Sequence, residues 1–413
     1  METPPAGTQA RLRFPLSTFH FSLLLFAVCA LGGCGGPTKA GIEARKQAND
    51  RVNLVSAQLT YDQAQQAFNT GQFQRALIQI SNAIEKFPDS CKFYVLLGRI
   101  QLETHKLEQS IEAFEIAMEK DPKSAEPHYY EGIIYQRWSN DSKAYEQYAK
   151  AFELDPSNVQ YLLASAEAKI DLHEYEAARA LISEHLNFFE HNAAMRHLLG
   201  QIALLQNNPS EAVKHYTEAR MLAPEDTLLL EELARAQFRA GQYSKCHESL
   251  RLLNDMPGDE RTDLIVLQAR CLAELNRAAD ARDLYLQLSR QAPASSDPAV
   301  WIGLGMTSWE LGDMRRVAQS GQQLVSIVPD RYEGYVLKAL YEKNRGDLDA
   351  ALKLMNQAAA RAGDNALPFL LLGQTLQDQG DTIGAIEAYA AAVDADPSNT
   401  MAQSMLAAVE AYE

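Results

Sequence analysis

Proline recurs along this chain at a nearly constant interval, and this spacing limits the possible fold more than any other feature. Successive intervals are 34, 34, 68, 33, 36, 36 and 68 residues, so the two longest are twice the basic period. A period of about 34 residues is typical of stacked two-helix units, because a proline after the second helix cannot continue it. The prolines are Pro88, Pro122, Pro156, Pro224, Pro257, Pro293, Pro329 and Pro397, with Glu190 and Gly363 where a proline is missing.

Small residues recur with the same period at two positions twelve residues apart. Two antiparallel helices approach closely only where side chains are small, and a bulky residue four positions later shares the helix face and fills the space. The first small position holds Ala64, Gly98, Gly132, Ala166, Gly200, Ala234, Ala269, Gly305, Ala339 and Gly373. The second holds Ala76, Ser110, Ala144, Ala178, Ala212, Cys246, Ala281, Val317, Ala351 and Ala385. Five glycines are predicted to form left-handed turns inside the hairpins: Gly71, Gly241, Gly312, Gly346 and Gly380.

These residues resemble the tetratricopeptide repeat. Tyr94, Leu97 and Gly98 open one unit in the family pattern, and Phe114 and Pro122 close it. The resemblance implies an all-α, right-handed superhelix of ten helical hairpins over residues 57–397, followed by a capping helix over 398–413. The fourth and eighth units depart from the pattern and are expected to be distorted.

The N terminus is predicted to be an export signal. Two arginines precede an apolar run over residues 19–31, which is too short for a membrane-spanning helix. The run ends in Gly-Gly-Cys34, which resembles a bacterial lipoprotein box, so residues 1–33 are predicted to be removed and Cys34 to be acylated. By resemblance to enterobacterial sorting, Gly35 indicates the outer membrane, facing the periplasm. The alternatives are an uncleaved anchor or a cysteine placed there by chance.

Residues 34–56 are predicted to be a tether, flexible over residues 35–41 and polar beyond them. Its basic side chains would lie beside anionic head groups, or would simply be solvated. Residues 1–56 have a net charge of +3. Because the whole chain has a net charge of −16, the remaining residues have −19. An acidic body argues against binding of nucleic acid. Three cysteines remain in the body, and Cys246 and Cys271 fall in adjacent repeats, where they are predicted to be small buried residues although they could pair.

No catalytic, phosphate-binding or metal-binding motif occurs in the sequence, so the prediction is a protein that is not an enzyme and has no cofactor, metal or small-molecule substrate. His185, His191 and His197 are six residues apart, which does not suit ligands on one helix face. What remains is the groove that the first helices line in tetratricopeptide proteins, at positions two, five, nine, twelve and thirteen of the unit.

Those positions predict the peptide-binding residues Tyr61, Phe68, Arg99, Tyr129, Arg137, His197, Arg235, Phe238, Arg239, Arg270 and Trp309. Further groove positions hold Lys92, Ile133, Leu163, Ile170, Leu204, Leu205, Ile302 and Met306. Arginine and aromatic side chains are frequent anchors of protein interfaces. For Phe68, Phe238 and Trp309, packing between helices is an equally good interpretation.

Two functional hypotheses follow from these patterns. The first is a lipid-anchored scaffold that binds peptide segments or partner subunits in the bacterial cell envelope. The second is an accessory or regulatory subunit of an envelope enzyme, or of a polysaccharide or secretion machine. Both expect protein partners and membrane attachment through the N-terminal lipid.

Overall fold

The computed structural model describes residues 38–256 and 261–411, which form two compact units divided after Pro122. Every regular element in these ranges is helical, which confirms the predicted all-α class. The predicted signal peptide, Cys34, Pro257 and the last two residues lie outside the described residues.

The first unit contains two helical hairpins. The first hairpin pairs α1 with α2, and the second pairs α3 with α4. Their bounds are α1 Lys39–Asn69, α2 Phe73–Lys86, α3 Cys91–Glu103 and α4 Leu107–Lys120. Small residues face each other inside the first hairpin, where Ala64 and Ala76 are fully buried beside Ile80. This is the packing that the two recurring small positions predict.

The second unit contains eight further hairpins and a final single helix. The helices are α5 Glu126–Arg137, α6 Asp141–Leu154, α7 Val159–Asp171, α8 Tyr175–His185, α9 Ala193–Leu205, α10 Pro209–Leu222, α11 Thr227–Arg239, α12 Tyr243–Asn254, α13 Thr262–Glu274, α14 Ala278–Leu288, α15 Pro298–Glu310, α16 Met314–Ile327, α17 Glu333–Asn344, α18 Leu348–Ala359, α19 Ala366–Gln379, α20 Thr382–Ala395 and α21 Thr400–Glu410. Over the described residues this confirms ten hairpins with a helix after them. Ala402 and Val409 of α21 are buried against the last hairpin, as expected for a capping helix.

Each hairpin turns through one residue with a left-handed backbone, at the same position of every repeat. The predicted glycines have φ between +70° and +88°. In the other five hairpins the turn residues are His105, Ser139, His173, Asn207 and Asn276, with φ between +55° and +61°. Asparagine and histidine adopt this conformation more readily than most residues with a side chain, but serine is strained there. The repeat geometry therefore imposes the turn even where the residue does not favour it.

The recurring prolines act through the residue before them. In six repeats the second helix ends two residues ahead of the proline, as at Lys86 before Pro88 and Leu222 before Pro224, whereas α14 already ends at Leu288, five residues before Pro293. The intervening residue is extended, with φ of −148° at Phe87 and −135° at Ala223. A proline disfavours helical backbone in the residue that precedes it, so it ends the helix and sets the exit direction.

The segment predicted as a tether is helical in its described part. Helix α1 begins at Lys39, where the Thr38 side chain accepts a hydrogen bond from the Gly41 backbone N–H. The prediction of flexible chain is therefore wrong for residues 39–41. The physical reason is that residues 42–69 contain neither proline nor glycine and are rich in helix formers, so one helix runs through to the first turn.

The fourth and eighth repeats, which were predicted to be distorted, both form complete hairpins. In the fourth repeat, α8 has only 11 residues, as does α14 of the seventh, whereas α2, α4 and α6 have 14 each. In the eighth, α16 keeps 14 residues, but Gly321 replaces the bulky residue of other repeats. A helix long and apolar enough to cross a membrane does not occur within residues 38–256 and 261–411.

Candidate binding groove on the last four repeats

In eight of the ten repeats, the small residue of the first helix is matched in size to a bulky residue sixteen positions later on the second helix. Where the small residue is glycine, an aromatic ring lies against it, in the pairs Gly98–Phe114, Gly132–Tyr148, Gly200–Tyr216 and Gly373–Tyr389. A Cβ built on these glycines would stand only 2.4–2.6 Å from the nearest ring carbon. Where the small residue is alanine, the partner is aliphatic, as in Ala64–Ile80, Ala166–Ile182, Ala234–Leu250 and Ala339–Met355.

The seventh and eighth repeats break this rule. In the seventh, alanine (Ala269) is matched with an aromatic residue, Tyr285, and in the eighth, glycine (Gly305) is matched with Gly321. Tyr285 instead places its ring against Gly303 on the next first helix, α15, where a built Cβ would stand 2.1 Å from the ring Cζ. Gly305 receives Leu337 of α17, whose Cδ1 lies 2.3 Å from a built Cβ. The space beside Gly303 and the space beside Gly305 are therefore each filled by a side chain from a neighbouring repeat.

A cavity of about 630 Å³ opens where this exchange takes place. Its lining comes mainly from the first helices of the last four repeats, α13, α15, α17 and α19. The lining residues are Val266, Arg270, Ala273, Glu274, Tyr285, Ala299, Ile302, Gly303, Met306, Thr307, Glu310, Arg331, Tyr332, Glu333, Val336, Leu337 and Leu367. This volume is typical of ligand-binding clefts.

The cavity has an apolar floor and a rim of both charges. Met306 and Leu367 remain 44% and 45% exposed, although they are large and apolar. Arg331 forms an ion pair with Glu333 on the rim, while Glu310 forms no ion pair within the described residues. An arrangement of this kind can hold an apolar side chain while polar groups at the edge orient the chain that bears it.

Tyr285 brings a polar group to the floor. Its ring end rests on Gly303, and burial raises the pKa of its hydroxyl to about 12. The hydroxyl therefore stays protonated at neutral pH and can donate or accept a hydrogen bond in the cavity.

Arg270 is the member of the predicted peptide-binding set that lies in this cavity. It is exposed on α13, and its guanidinium carbon lies 4.6 Å from the ring centroid of Phe238. The ring of Phe238 also meets Tyr243 edge-on, with centroids 5.5 Å apart. Trp309 is partly buried and packs against the hydrophobic clusters on both sides of α15. The packing interpretation therefore describes Phe238 and Trp309 better than direct binding.

In the first unit the predicted residues contact one another. Tyr61 stacks on Phe93 with centroids 5.2 Å apart, and the Lys92 ammonium lies 5.2 Å from the Tyr61 centroid. The guanidinium of Arg99 lies 4.9 Å from the centroid of Phe68. Cation–π contacts of this kind stabilise the stacking of neighbouring first helices. They occupy the ring faces that a peptide would otherwise contact.

Residues predicted from the third to fifth repeats also lie largely within packing. Tyr129 lies 5.1 Å from Tyr161 between ring centroids, and burial raises the pKa of its hydroxyl. His197 lies 5.6 Å from Tyr216, and burial lowers the pKa of its imidazole. Arg137 is exposed at the end of α5. Of the predicted aliphatic positions, those buried or partly buried are Ile133, Leu163, Ile170 and Leu204, whereas Leu205 is exposed.

Arg235 is held by ion pairs between the sixth and seventh repeats. Its guanidinium donates to Glu231 at 2.8 Å on its own helix and to Asp263 at 2.6 Å on α13. Arg261 joins the same two carboxylates. Arg239, one turn further along α11, is exposed. Arg235 therefore links two repeats and has little capacity left for a ligand carboxylate.

Several cavity residues were not predicted from the sequence. Glu274, Glu310 and Leu367 occupy groove positions of the repeat, but they are not arginine or aromatic, the types taken as anchors. Glu333 also occupies a groove position, at the start of α17, and Arg331 lies two residues before that helix. A signal was present, since the size mismatches at Ala269–Tyr285 and Gly305–Gly321 mark the repeats where packing cannot be regular.

Comparison with known proteins agrees with this architecture. The tetratricopeptide repeat profile matches residues 61–125, 336–400 and 370–411. The Schizosaccharomyces pombe protein named Superkiller protein 3 is 27% identical over 195 residues, which are 43% of this chain and 14% of that protein. The Komagataeibacter xylinus protein named Cellulose synthase 2 operon protein C is 31% identical over 173 residues, 41% of this chain and 13% of the relative. The chain thus spans a small part of the length of both.

A smaller relative is matched over most of its length. The Pseudomonas aeruginosa protein named Type IV pilus assembly protein PilF is 25% identical over 205 residues, which are 49% of this chain and 81% of the relative. A solved structure of Pseudomonas aeruginosa PilF aligns with 49% of this chain and 92% of its own, at 22% identity and a TM-score of 0.41.

Proposed function

The chain belongs to the tetratricopeptide repeat family, and we propose that it is a lipid-anchored scaffold of the bacterial cell envelope that holds a segment of a partner protein in the cavity on α13–α19. Scaffolding of protein–protein interactions is the general role of such repeats. The finer assignment rests on one observation above all. The cavity combines two exposed, large apolar side chains of neighbouring first helices, Met306 and Leu367, with a rim carboxylate, Glu310, that forms no ion pair within the described residues.

The cavity chemistry favours an extended segment with one apolar anchor. Met306, Ile302 and Leu367 would enclose an aliphatic or aromatic side chain of the partner. Burying such a side chain contributes about 1.5–3 kcal/mol. A basic neighbour in the segment would meet Glu310 or Glu274, in keeping with the acidic body of the chain.

Attachment to the membrane is supported by the sequence before the described residues and by α1. The proposed lipid on Cys34 would lie five residues before Lys39, the first residue of α1. The N-terminal half of α1 is exposed, and it bears Arg45 and Arg51 beside the exposed apolar residue Val52. Two or more acyl chains anchor a protein stably, and basic residues strengthen contact with anionic lipid.

The cavity is tested by a pair of methionine substitutions. Met306→Glu places a charge on the cavity floor, and the matched control Met221→Glu changes a residue that is 75% exposed on α10, outside the cavity. Affinity capture from an envelope extract should recover a partner with the parent protein and with Met221→Glu, but lose at least tenfold of it with Met306→Glu. Equal recovery with both variants would reject this cavity as the site.

The anchor is tested separately from the cavity. Cys34→Ser removes the thiol that would receive the lipid, so the protein should move from the membrane fraction to the aqueous fraction. A variant with Cys91→Ser should stay with the membrane. Continued membrane fractionation of Cys34→Ser would contradict the lipid anchor and leave the cavity proposal unaffected.

A second candidate function is an accessory subunit of a polysaccharide-synthesising or secretion machine. The name of the Komagataeibacter xylinus relative, Cellulose synthase 2 operon protein C, favours it. On this proposal the chain changes the turnover of an envelope enzyme instead of only holding a segment. Addition of the purified protein to the membrane fraction of its source should then raise or lower synthase activity, and an unchanged rate would favour the scaffold.

A further inference from the structure

Two cysteines meet in the core between the sixth and seventh repeats. Cys246 lies on α12 and Cys271 on α13, 25 residues apart, and their Sγ atoms are separated by 2.8 Å. Both are fully buried, and both belong to one hydrophobic cluster with Leu250 and Leu264. Side chains that only pack keep heavy atoms about 3.5–4.0 Å apart. These thiols therefore contact each other more closely than apolar packing requires.

We propose that Cys246 and Cys271 form a disulfide bond that joins the sixth repeat to the seventh. A disulfide bond places its sulfur atoms about 2.05 Å apart, so small side-chain rotations would bring the two atoms to bonding distance. Their helices are already packed against each other, so the backbone would not need to separate or rebuild.

The step can be balanced with a protein disulfide of the dithiol oxidoreductase class as oxidant. The thiolate of one cysteine attacks the oxidant disulfide, forming a mixed disulfide and releasing one oxidant thiolate. The other cysteine then attacks the mixed disulfide and releases the second oxidant thiolate. The pair loses two protons and two electrons in total, and the oxidant becomes a dithiol.

Burial sets the order of folding and oxidation. Contact with Cys246, and next the burial of the site, raise the pKa of the Cys271 thiol above its ordinary value. A buried thiol with a raised pKa is a poor nucleophile. Attack on the oxidant therefore takes place before the sixth and seventh repeats have packed, and the bond is sealed inside the core afterwards.

The bond would also fix the position of α13 where this helix lines the cavity. Arg270 directly precedes Cys271 and lines the cavity, and it covers the ring of Phe238 from the sixth repeat. A covalent link between α12 and α13 would hold this edge of the cavity in place. Persistence of the bond in cells rests on the proposed export, because disulfides persist in oxidising compartments. Its formation in vitro does not depend on export.

Tryptic digestion can detect the bond directly. Cleavage after Lys245, Arg251, Arg270 and Arg277 leaves residues 246–251 and 271–277 as separate peptides with one cysteine each. The full-length protein from its native membrane fraction, alkylated and unfolded without reductant, should yield these two peptides as one species two hydrogens lighter than their sum. The control peptide with Cys91 should be alkylated.

A second experiment tests whether the bond forms independently of the cellular compartment. Protein made under reducing conditions is unfolded and refolded in a glutathione buffer rich in the oxidised form, and should then give the linked pair. Linkage in this buffer together with free thiols in the membrane-derived protein would support the site and count against export. Alkylation of both cysteines in both arms would overturn the inference.

The effect on stability supplies a measurement that does not rely on the peptides. Reduction of the linked protein should lower the thermal midpoint by about 4 °C, since the bond closes a loop between residues 25 positions apart in the unfolded chain. Cys91→Ser should respond to reductant in the same way, whereas Cys246→Ser should show no response. A response in Cys246→Ser equal to that of the parent would also overturn the inference.

Discussion

The fifth repeat and the pair formed by the seventh and eighth repeats solve the same packing problem in different ways. In the fifth, Gly200 accepts the ring of Tyr216 from its own second helix, and the space between the helices is filled within the repeat. In the seventh, Ala269 leaves no such room, so Tyr285 crosses to Gly303 of the next repeat. The eighth repeat, which has Gly321 instead of a bulky residue, accepts Leu337 from the ninth.

This difference teaches how a repeat array can acquire a cavity. When each hairpin fills its own gap, the first helices stack regularly, and groove residues such as Phe68 and Phe238 are covered by arginines of the next repeat. Where the space is filled from a neighbour, in the seventh and eighth repeats, a cavity with an apolar floor lies on the first helices. Interaction between neighbours then depends on particular pairs, as expected for arrays whose stability is a sum over repeats and interfaces.

The largest effect is expected from Gly200→Leu in the regular repeat. A Cβ at this position would already stand 2.6 Å from the ring of Tyr216, so the longer side chain overpacks the hairpin. We expect a loss of about 1–3 kcal/mol in the free energy of unfolding, measured by denaturant titration. Gln201→Leu, at an exposed position of the same helix, is the control and should cost under about 0.5 kcal/mol.

The size rule itself can be tested by compensation. Gly200→Ala alone should cost about 1–2 kcal/mol, because the Tyr216 ring must move. Gly200→Ala with Tyr216→Ile recreates the pairing of Ala166 with Ile182, so the second change should recover part of the loss. Double-mutant analysis should give a favourable coupling above about 0.5 kcal/mol. Strict additivity of the two changes would break the rule on which the comparison rests.

In the irregular repeats, the corresponding prediction concerns Gly303, which receives a ring from the preceding repeat instead of its own. A built Cβ lies 2.1 Å from the Tyr285 ring, so Gly303→Ala should cost about 1–2 kcal/mol although it raises helix propensity. In a Tyr285→Leu background the same substitution should be close to neutral. Hydrogen exchange of α13 and α15 would locate the effect, and a cost that persists without the ring would show that Tyr285 is not its cause.

The smallest effect concerns the ion pairs between the sixth and seventh repeats. A hydrogen bond from Arg261 lowers the pKa of Asp263 below its ordinary 3.8. The carboxylate therefore stabilises the fold above pH 3.8, and this contribution is lost as pH falls through the lower folded pKa. Asp263→Asn should cost under about 1 kcal/mol at pH 7, since the group is partly solvated.

The pH dependence separates this ion pair from a general acid effect. The difference between the parent protein and Asp263→Asn should shrink in strongly acidic solution, as measured by denaturant titrations across pH 2–7. Asp394→Asn, at an exposed carboxylate of α20, is the matched control and should differ little from the parent at any pH. A difference for Asp263→Asn that stays constant down to pH 2 would contradict the assignment.

Much of the fold was predictable because the repeat period records a local requirement. Turn glycines such as Gly71 and Gly380 have the left-handed backbone that their spacing predicts. The contacts that the predicted binding residues make were harder to foresee. Arg235 occupies a groove position by register, yet its guanidinium is used by Glu231 and Asp263, and only the structure shows which partners lie within reach.

The sequence alone determined the hairpins, their number and their register, because each rests on contacts within about 34 residues. It also contained the mismatches at Ala269–Tyr285 and Gly305–Gly321. The tertiary structure decided where Tyr285 and Leu337 go instead, and so where the cavity opens. The physical reason is that a displaced side chain can enter any gap large enough for it, and the gaps of neighbouring repeats exist only once the helices have stacked.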